Sequence, residues 1–125
     1  MESCRININV NITPVSFTIH YYSEALQQEL LEWPSGLQAR YLRLAERLEI
    51  FGPNLGMPHT RAMGDGLFEL RVMAGEGIGR VFFCTMAGQR IVMLHQFIKK
   101  SQKIPVKELD IARTRRKEWT DAHAR

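Results

Sequence analysis

The sequence predicts one α+β domain: a small antiparallel sheet with an N-terminal helical hairpin and a C-terminal basic helix. Its length of 125 residues suits a single domain. Apolar residues recur at helical spacing in the first half of the chain. In the second half they fill three short segments joined by glycine-bearing turns. The predicted order is β-αα-βββ-α, with residues 1–14 as an N-terminal extension and residues 15–125 as the domain.

The first predicted elements are a strand and a short helix. Residues 15–22 are rich in β-branched and aromatic residues, which is typical of a strand. Ser23 is placed to cap a helix. That helix ends at Trp33-Pro34, because the residue before a proline disfavours helical backbone angles.

A second helix follows at once, so the two form a hairpin. Ser35 and Gln38 fit a capping box at its start, and Gly52-Pro53 stops it. Its apolar positions are spaced by four and three residues, which predicts one buried stripe. The stripe consists of Leu37, Tyr41, Leu44, Leu48 and Phe51.

Three strands are predicted in the second half, at residues 67–73, 79–86 and 90–98. The turns AGEG and AGQ that join them predict an antiparallel meander. The last strand is almost continuously apolar, which favours a central position covered on both faces. Pro105 then starts a closing helix over residues 105–121.

Positive charge is concentrated near the C-terminus. The chain has a net charge of +4, and residues 99–117 hold eight Lys or Arg against two Asp or Glu. A basic segment on a near-neutral body is typical of a protein that binds a polyanion. The alternative is a solvated helix face that keeps the protein soluble.

Several classes of protein are disfavoured by composition. The cysteines Cys4 and Cys84 are too few for a disulfide scaffold or an all-cysteine metal cluster. No apolar run is long enough to span a membrane, and the N-terminus has no export signal, so we expect a cytoplasmic protein without a membrane partner. The four histidines lack metal-ligand spacing, and the GEGIG stretch precedes a strand rather than a helix. We therefore expect neither a metal nor a cofactor.

Cationic residues on and beside the strands are the best candidates for a functional site. Arg71 alternates with apolar neighbours, so its side chain lies on the opposite face of its strand. Arg80 opens the next strand, and Lys99 and Lys100 follow the last one. Together they could form a phosphate site on one surface of the sheet. Each could also be an ordinary surface residue at a sheet edge.

Three segments, followed by a basic helix, carry a resemblance to a known family: DGLFELR (65–71), GRVFF (79–83) and LHQFIKKSQKIP (94–105). The preceding LGMPHTRAMGDG (55–66) fits the same pattern. From about residue 17 to 119 the chain resembles the RelE/HigB superfamily of toxin–antitoxin toxins, most closely its phage-derived HigB-like branch.

The resemblance implies a RelE/ParE-like fold and a ribosome-dependent endoribonuclease that cleaves messenger RNA and so inhibits translation. Cleavage would be a metal-independent attack by the RNA's own 2′-hydroxyl. The implied partners are the ribosome, messenger RNA and a cognate antitoxin, in this branch usually a helix-turn-helix DNA-binding protein.

The same resemblance suggests roles for the candidate residues. Arg71 and Arg80 would stabilise charge on the phosphorane, while Lys99 and Lys100 would bind phosphate or donate a proton. The tyrosine that several relatives use near the C-terminus is missing, because the last tyrosine is Tyr41. His59 is the first candidate to replace it as general base, and His95 is the second. The expected RNA-binding residues are Arg61, Lys103, Lys107 and Arg113.

Other functions remain open from the sequence. ParE toxins share the fold but inhibit DNA gyrase without catalysis. The basic residues could also belong to a plain nucleic-acid-binding module, or the chain could be a decayed prophage remnant. Gly79 departs from the aromatic residue often found before the strand arginine, which leaves room for a different stacking arrangement.

Overall fold

The computed structural model describes residues 16–99 and 104–123 and confirms the predicted α+β class. Predictions for residues 1–14, Lys100 and Lys103 fall outside the described residues. The described elements are β1 (Thr18–Tyr21), α1 (Glu24–Leu31), α2 (Ser35–Phe51), β2 (Thr60–Gly64), β3 (Leu67–Ala74), β4 (Gly77–Met86), β5 (Arg90–Lys99) and α3 (Val106–Ala122).

The strands form one sheet in the order β1-β5-β4-β3-β2. The predicted meander is present, because β3, β4 and β5 pair antiparallel in sequence. Two features were not predicted. β2 adds a further antiparallel strand beside β3, and β1 pairs parallel with β5, which makes the sheet mixed. β5 therefore lies inside the sheet between β1 and β4, in agreement with its apolar composition.

The helical hairpin is present, although one of its predicted caps is wrong. Ser23 caps α1 by accepting a hydrogen bond from the Leu26 amide at 3.1 Å. Ser35 does not cap α2, because Pro34 occupies the N-cap position. The Gln38 side chain instead donates to the Leu31 carbonyl at 2.9 Å, and so ties the two helices together.

The apolar stripe of α2 is confirmed except at its last position. Leu37, Tyr41, Leu44 and Leu48 are buried, whereas Phe51 is 64% exposed. Phe51 is the last residue of the helix, at the C-terminal end of the stripe.

The sheet has one hydrophobic cluster on each face. The first packs the sheet against α1 and α2, and includes Leu70, Val72, Val81 and Phe83. The second packs it against α3 around Ala112, and includes Leu67, Phe82, Cys84, Val92 and Leu94. None of the described helices is long and apolar enough to cross a membrane.

Candidate functional site

The face of the sheet that packs against α3 changes from apolar to charged along its strands. On β4, Cys84 and Phe82 belong to the apolar cluster under α3, and Arg80 is the next residue on that face. On β3 the same alternation leads from Leu67 through Glu69 to Arg71. The charged part consists of Arg61, Glu69, Arg71, Arg80 and Lys99, and we call it the cationic cluster.

Strand register brings these side chains together. Arg71 is the direct partner of Arg80 across β3 and β4, and Arg61 is the partner of Glu69 across β2 and β3. Lys99 is the partner of Ile78, which lies two residues from Arg80 and therefore shares its face. The convergence predicted for Arg71, Arg80 and Lys99 is thus present in the sheet.

The inner members of the cationic cluster are buried. Arg80 is 3% exposed and Lys99 is 7% exposed, whereas the side chain of Arg61 is half exposed. Four buried polar atoms of the cluster have no hydrogen-bond partner among the described residues: the donors Nε of Arg71, Nε of Arg80 and Nζ of Lys99, and the acceptor Oε1 of Glu69. Buried N–H donors are normally paired, so three unused donors on three neighbouring strands indicate a site for an anion.

Glu69 also belongs to the site, although it is not among the candidate residues predicted from the sequence. Its fully buried carboxylate accepts a hydrogen bond through Oε2 from Nη1 of Arg80. Its second oxygen, Oε1, is 3.9 Å from Nε of Arg61. The available signal was that Glu69 shares strand parity with Arg71, but the pairing with Arg80 appears only once the strand register is known.

Burial and three neighbouring arginines lower the pKa of Lys99 below its usual value. Burial is the largest cause, because it disfavours the ammonium form, and Arg80 is the next. Arg71 and Arg61 act in the same direction, whereas the Glu69 carboxylate opposes them. A lysine with a lowered pKa gives up its proton more readily, which is the property required of a general acid near neutral pH.

His95 lies on the same face as the cationic cluster. It is the register partner of Phe82, one step along the face from Arg80, and its ring stacks on Phe97 at a centroid distance of 6.1 Å. Its Nε2 atom lies 2.5 Å from a carboxylate oxygen of Glu108 in α3. Its Nδ1 atom is buried and has no hydrogen-bond partner among the described residues.

His59 has different surroundings. It precedes β2, and its backbone carbonyl accepts a hydrogen bond from the Arg71 amide at 2.8 Å. Its pKa is lowered, first by burial and then by Arg47 and Arg40 of α2, the helix on the opposite face from α3. The backbone of His59 therefore contacts the site through the Arg71 amide. The charges that lower the pKa of its ring belong to the helical hairpin instead.

The basic residues of α3 divide into two groups. Arg115 donates to the Leu94 carbonyl at 2.9 Å and covers the Tyr22 ring, so it fastens the helix to the sheet. Lys107 and Arg113 are exposed, as expected for residues that contact RNA backbone. Lys107 also lines a groove of about 470 Å³ between Tyr22 and α3, away from the cationic cluster.

The space beside Gly79 is occupied, which corrects the expectation of room for a stacked base. A Cβ atom at Gly79 would lie 2.4 Å from the Trp33 ring. Trp33 is buried and donates from Nε1 to the Gln96 side chain at 2.6 Å. The indole therefore fills this position from the other face of the sheet, which α1 and α2 cover.

The cationic cluster provides fixed positive charge, an anchoring carboxylate and a lysine with a lowered pKa. Such a set can bind a phosphodiester, stabilise added negative charge on it and supply a proton. Among the described residues, no group of three or more His, Cys, Asp and Glu could hold a metal ion.

Comparison with protein families gives one match, and it covers the residues of the cationic cluster. The family model described as phage derived protein Gp49-like (DUF891) matches residues 28–117, well over half of the chain. The matched residues include α2, the four strands β2 to β5 and most of α3. No curated protein matches the chain.

Proposed function

The chain belongs to the family of phage-derived Gp49-like proteins, and from that membership we propose that it is the toxin of a type II toxin–antitoxin system, acting as a ribosome-dependent endoribonuclease. The family is associated with RelE-like toxins. The observation that carries the nuclease proposal is the set of three buried, unused N–H donors from Arg71, Arg80 and Lys99. They come from three neighbouring strands on one face of the sheet, and cationic donors of this kind bind the oxygens of a phosphodiester.

The proposed reaction is an internal transesterification of messenger RNA. The 2′-oxygen attacks the neighbouring phosphorus while the bond from phosphorus to the 5′-oxygen breaks. The products are a 2′,3′-cyclic phosphate and a free 5′-hydroxyl. Arg80 and Arg71 stabilise the phosphorane because it carries more negative charge than the ground-state diester.

Two protons move in this reaction. Lys99 donates one to the departing 5′-oxygen, in keeping with its lowered pKa. A histidine accepts the other from the 2′-hydroxyl. Of the two candidates, the geometry favours His95, because it shares the face of Arg80 and its Nε2 is held by Glu108. His59 is the alternative acceptor, and Lys100 is a second phosphate ligand in the proposal.

The partners follow from the same proposal. The substrate is messenger RNA in the ribosomal A site, and exposed cations such as Arg61, Lys107 and Arg113 contact RNA backbone. Lys103 joins them in the proposal. A cognate antitoxin, a helix-turn-helix DNA-binding protein, holds the toxin inactive.

The test is a reconstituted translation reaction in which the 5′ ends of the messenger are mapped. Arg71→Ala is the informative variant, because Arg80→Ala would also leave the Glu69 carboxylate buried without its partner. Arg90→Ala is a matched control, since Arg90 lies in the same sheet at the opposite end of β5 and donates to the Ala87 carbonyl.

We expect new 5′-hydroxyl ends at A-site codons with the original chain and with Arg90→Ala. Arg71→Ala should reduce their rate of formation by about 10²–10³, the usual effect of losing one donor to a developing charge. Ribosome-free messenger should stay intact. Intact messenger on ribosomes would refute the nuclease. Cleaved DNA with gyrase would then indicate the ParE-like function, and salt-dependent binding alone would indicate a docking module.

A further inference from the structure

Glu69 is the member of the cationic cluster for which the proposed reaction has no use. A carboxylate beside the scissile phosphate would repel it, yet this one is fully buried among cations. It comes from β3, next to the apolar cluster under α3, and binds Nη1 of Arg80 from β4. A buried charge in such a place needs a physical reason, because desolvating it costs several kcal/mol.

The contact with Arg80 supplies that reason. A guanidinium is planar and rigid, so holding one of its nitrogen atoms fixes the directions of its remaining N–H donors. Nη1 of Arg80 is bound to Glu69, while Nε of Arg80 has no partner among the described residues. The carboxylate thus holds one side of the group and leaves another free for an anion.

We propose that Glu69 is the positioning residue of this site: its carboxylate fixes the guanidinium of Arg80 and offsets the positive charge around Lys99, without contacting the substrate. The inference rests on the proposed function for its catalytic part. The contacts that support it are those of Glu69 with Arg80 and its position opposite Arg61.

Glu69 also affects the pKa of Lys99, and this second effect can be measured. The charged groups acting on Lys99 are Arg80 from β4, Glu69 and Arg71 from β3, and Arg61 from β2. Glu69 is the member of this set that raises the pKa of Lys99. Neutralising it in Glu69→Gln leaves the three arginines unopposed, so the pKa of Lys99 should fall further.

The first experiment measures Lys99 directly and needs no ribosome. The full chain is labelled at its lysine side chains, and the Lys99 signal is identified with Lys99→Arg and followed against pH by NMR. We expect its midpoint to fall in Glu69→Gln. Glu76→Gln is the matched control, because Glu76 lies in the turn of the same hairpin and binds the Gly36 amide. It should leave the midpoint unchanged.

The second experiment measures messenger cleavage on ribosomes per folded molecule. Glu69→Gln should lower kcat by about tenfold or more, less than loss of Arg80 itself, with little change in KM. The alkaline limb of its pH–rate profile should move to lower pH, because Lys99 must be protonated to act as the acid. A purely structural role would lower the urea midpoint and leave this limb in place.

Glu69→Asp separates the effect on the position of Arg80 from the effect on the charge around Lys99. It also provides a test if Glu69→Gln does not fold. It keeps the negative charge but shortens the side chain by one methylene. We expect Lys99 to titrate close to its original midpoint while kcat still falls, because Arg80 is displaced. Full kcat in Glu69→Asp would refute the role in fixing Arg80.

The outcomes distinguish this proposal from the proposed function. If the original chain cuts nothing on ribosomes, the nuclease fails, and the Lys99 titration together with affinity for a non-cleavable 2′-O-methyl RNA still decides about Glu69. A lower Lys99 midpoint in Glu69→Gln, together with weaker RNA binding in Glu69→Asp, which keeps the charge but displaces Arg80, supports the positioning role. An unchanged midpoint, or unchanged cleavage per folded molecule, overturns it.

Discussion

Arg71 and Arg80 are direct partners across the β3–β4 pair, so two guanidinium groups stand side by side on one face of the sheet. Like charges at directly opposed positions destabilise a sheet. Glu69 relieves part of this repulsion by binding Arg80, and Arg71 keeps an unused buried donor. A like-charged pair that lowers stability while one member keeps an unused buried donor is typical of a binding or catalytic site.

The first prediction concerns this repulsion. Arg71→Met should raise the free energy of unfolding by about 0.2–1 kcal/mol, because it removes one of two opposed like charges and keeps an apolar stem. Urea unfolding at low salt measures the change, and added salt should reduce it. The same variant should lose messenger cleavage. A variant less stable by more than about 1 kcal/mol would show that Arg71 contributes to the fold.

The second prediction concerns the buried ion pair. Glu69→Leu and Arg80→Met should each destabilise the chain by roughly 3–5 kcal/mol, because each leaves an unpaired buried charge. The double variant should unfold at a higher urea concentration than either single variant, since both charges are then gone. Additive losses in this double-mutant cycle would show that the two side chains are not coupled. All three variants should cleave messenger more slowly per folded molecule, and the two that lack Arg80 should be the slowest.

Much of this arrangement could be predicted from the sequence, and the missing parts have physical causes. The meander and the α2 stripe follow from local periodicity, which acts over neighbouring residues. β2 has five residues, mostly exposed, and no apolar alternation, so it is recognised only by its pairing with β3. The function of Glu69 depends on the register between β3 and β4, a relationship between segments that no local pattern contains.

The third prediction concerns the choice of proton acceptor. His95→Gln should reduce the rate of messenger cleavage more than His59→Gln, because His95 shares the face of Arg80 and is held by Glu108. The loss expected for a general base is about 10²–10⁴. Single-turnover cleavage on ribosomes is the measurement, with urea midpoints to correct for folding. The reverse order would assign the role to His59.

The fourth prediction concerns the close approach of Trp33 to Gly79. Gly79→Ala should cost about 1–3 kcal/mol of stability, because its Cβ would lie 2.4 Å from the indole ring. Gly75→Ala is the matched control in the same hairpin, since a Cβ there meets nothing within 4 Å. Adding Trp33→Leu should recover part of the loss. Equal stability of the two alanine variants would mean that the indole moves aside freely.

The last prediction concerns the pH dependence that Lys99 gives to stability. Burial and the neighbouring arginines hold the pKa of Lys99 in the folded chain below its ordinary value of 10.5. Between these two values the unfolded chain binds more protons, so this lysine's contribution makes the free energy of unfolding rise as the pH rises through that window. Below the window the destabilisation by the buried ammonium is complete. Lys99→Met should therefore gain stability relative to the original chain at pH 7.

The measurement is the stability difference between Lys99→Met and the original chain across the pH range. The difference should shrink as the pH approaches 10.5, because the original lysine then loses its charge as well. Tyrosines and Cys84, whose thiol pKa is raised to about 11 by burial, ionise in both proteins and cancel. Lys107→Met, at an exposed position of α3, should show no such trend. A difference that stays constant with pH would mean that the Lys99 ammonium does not destabilise the fold, and would remove the physical basis for its role as proton donor.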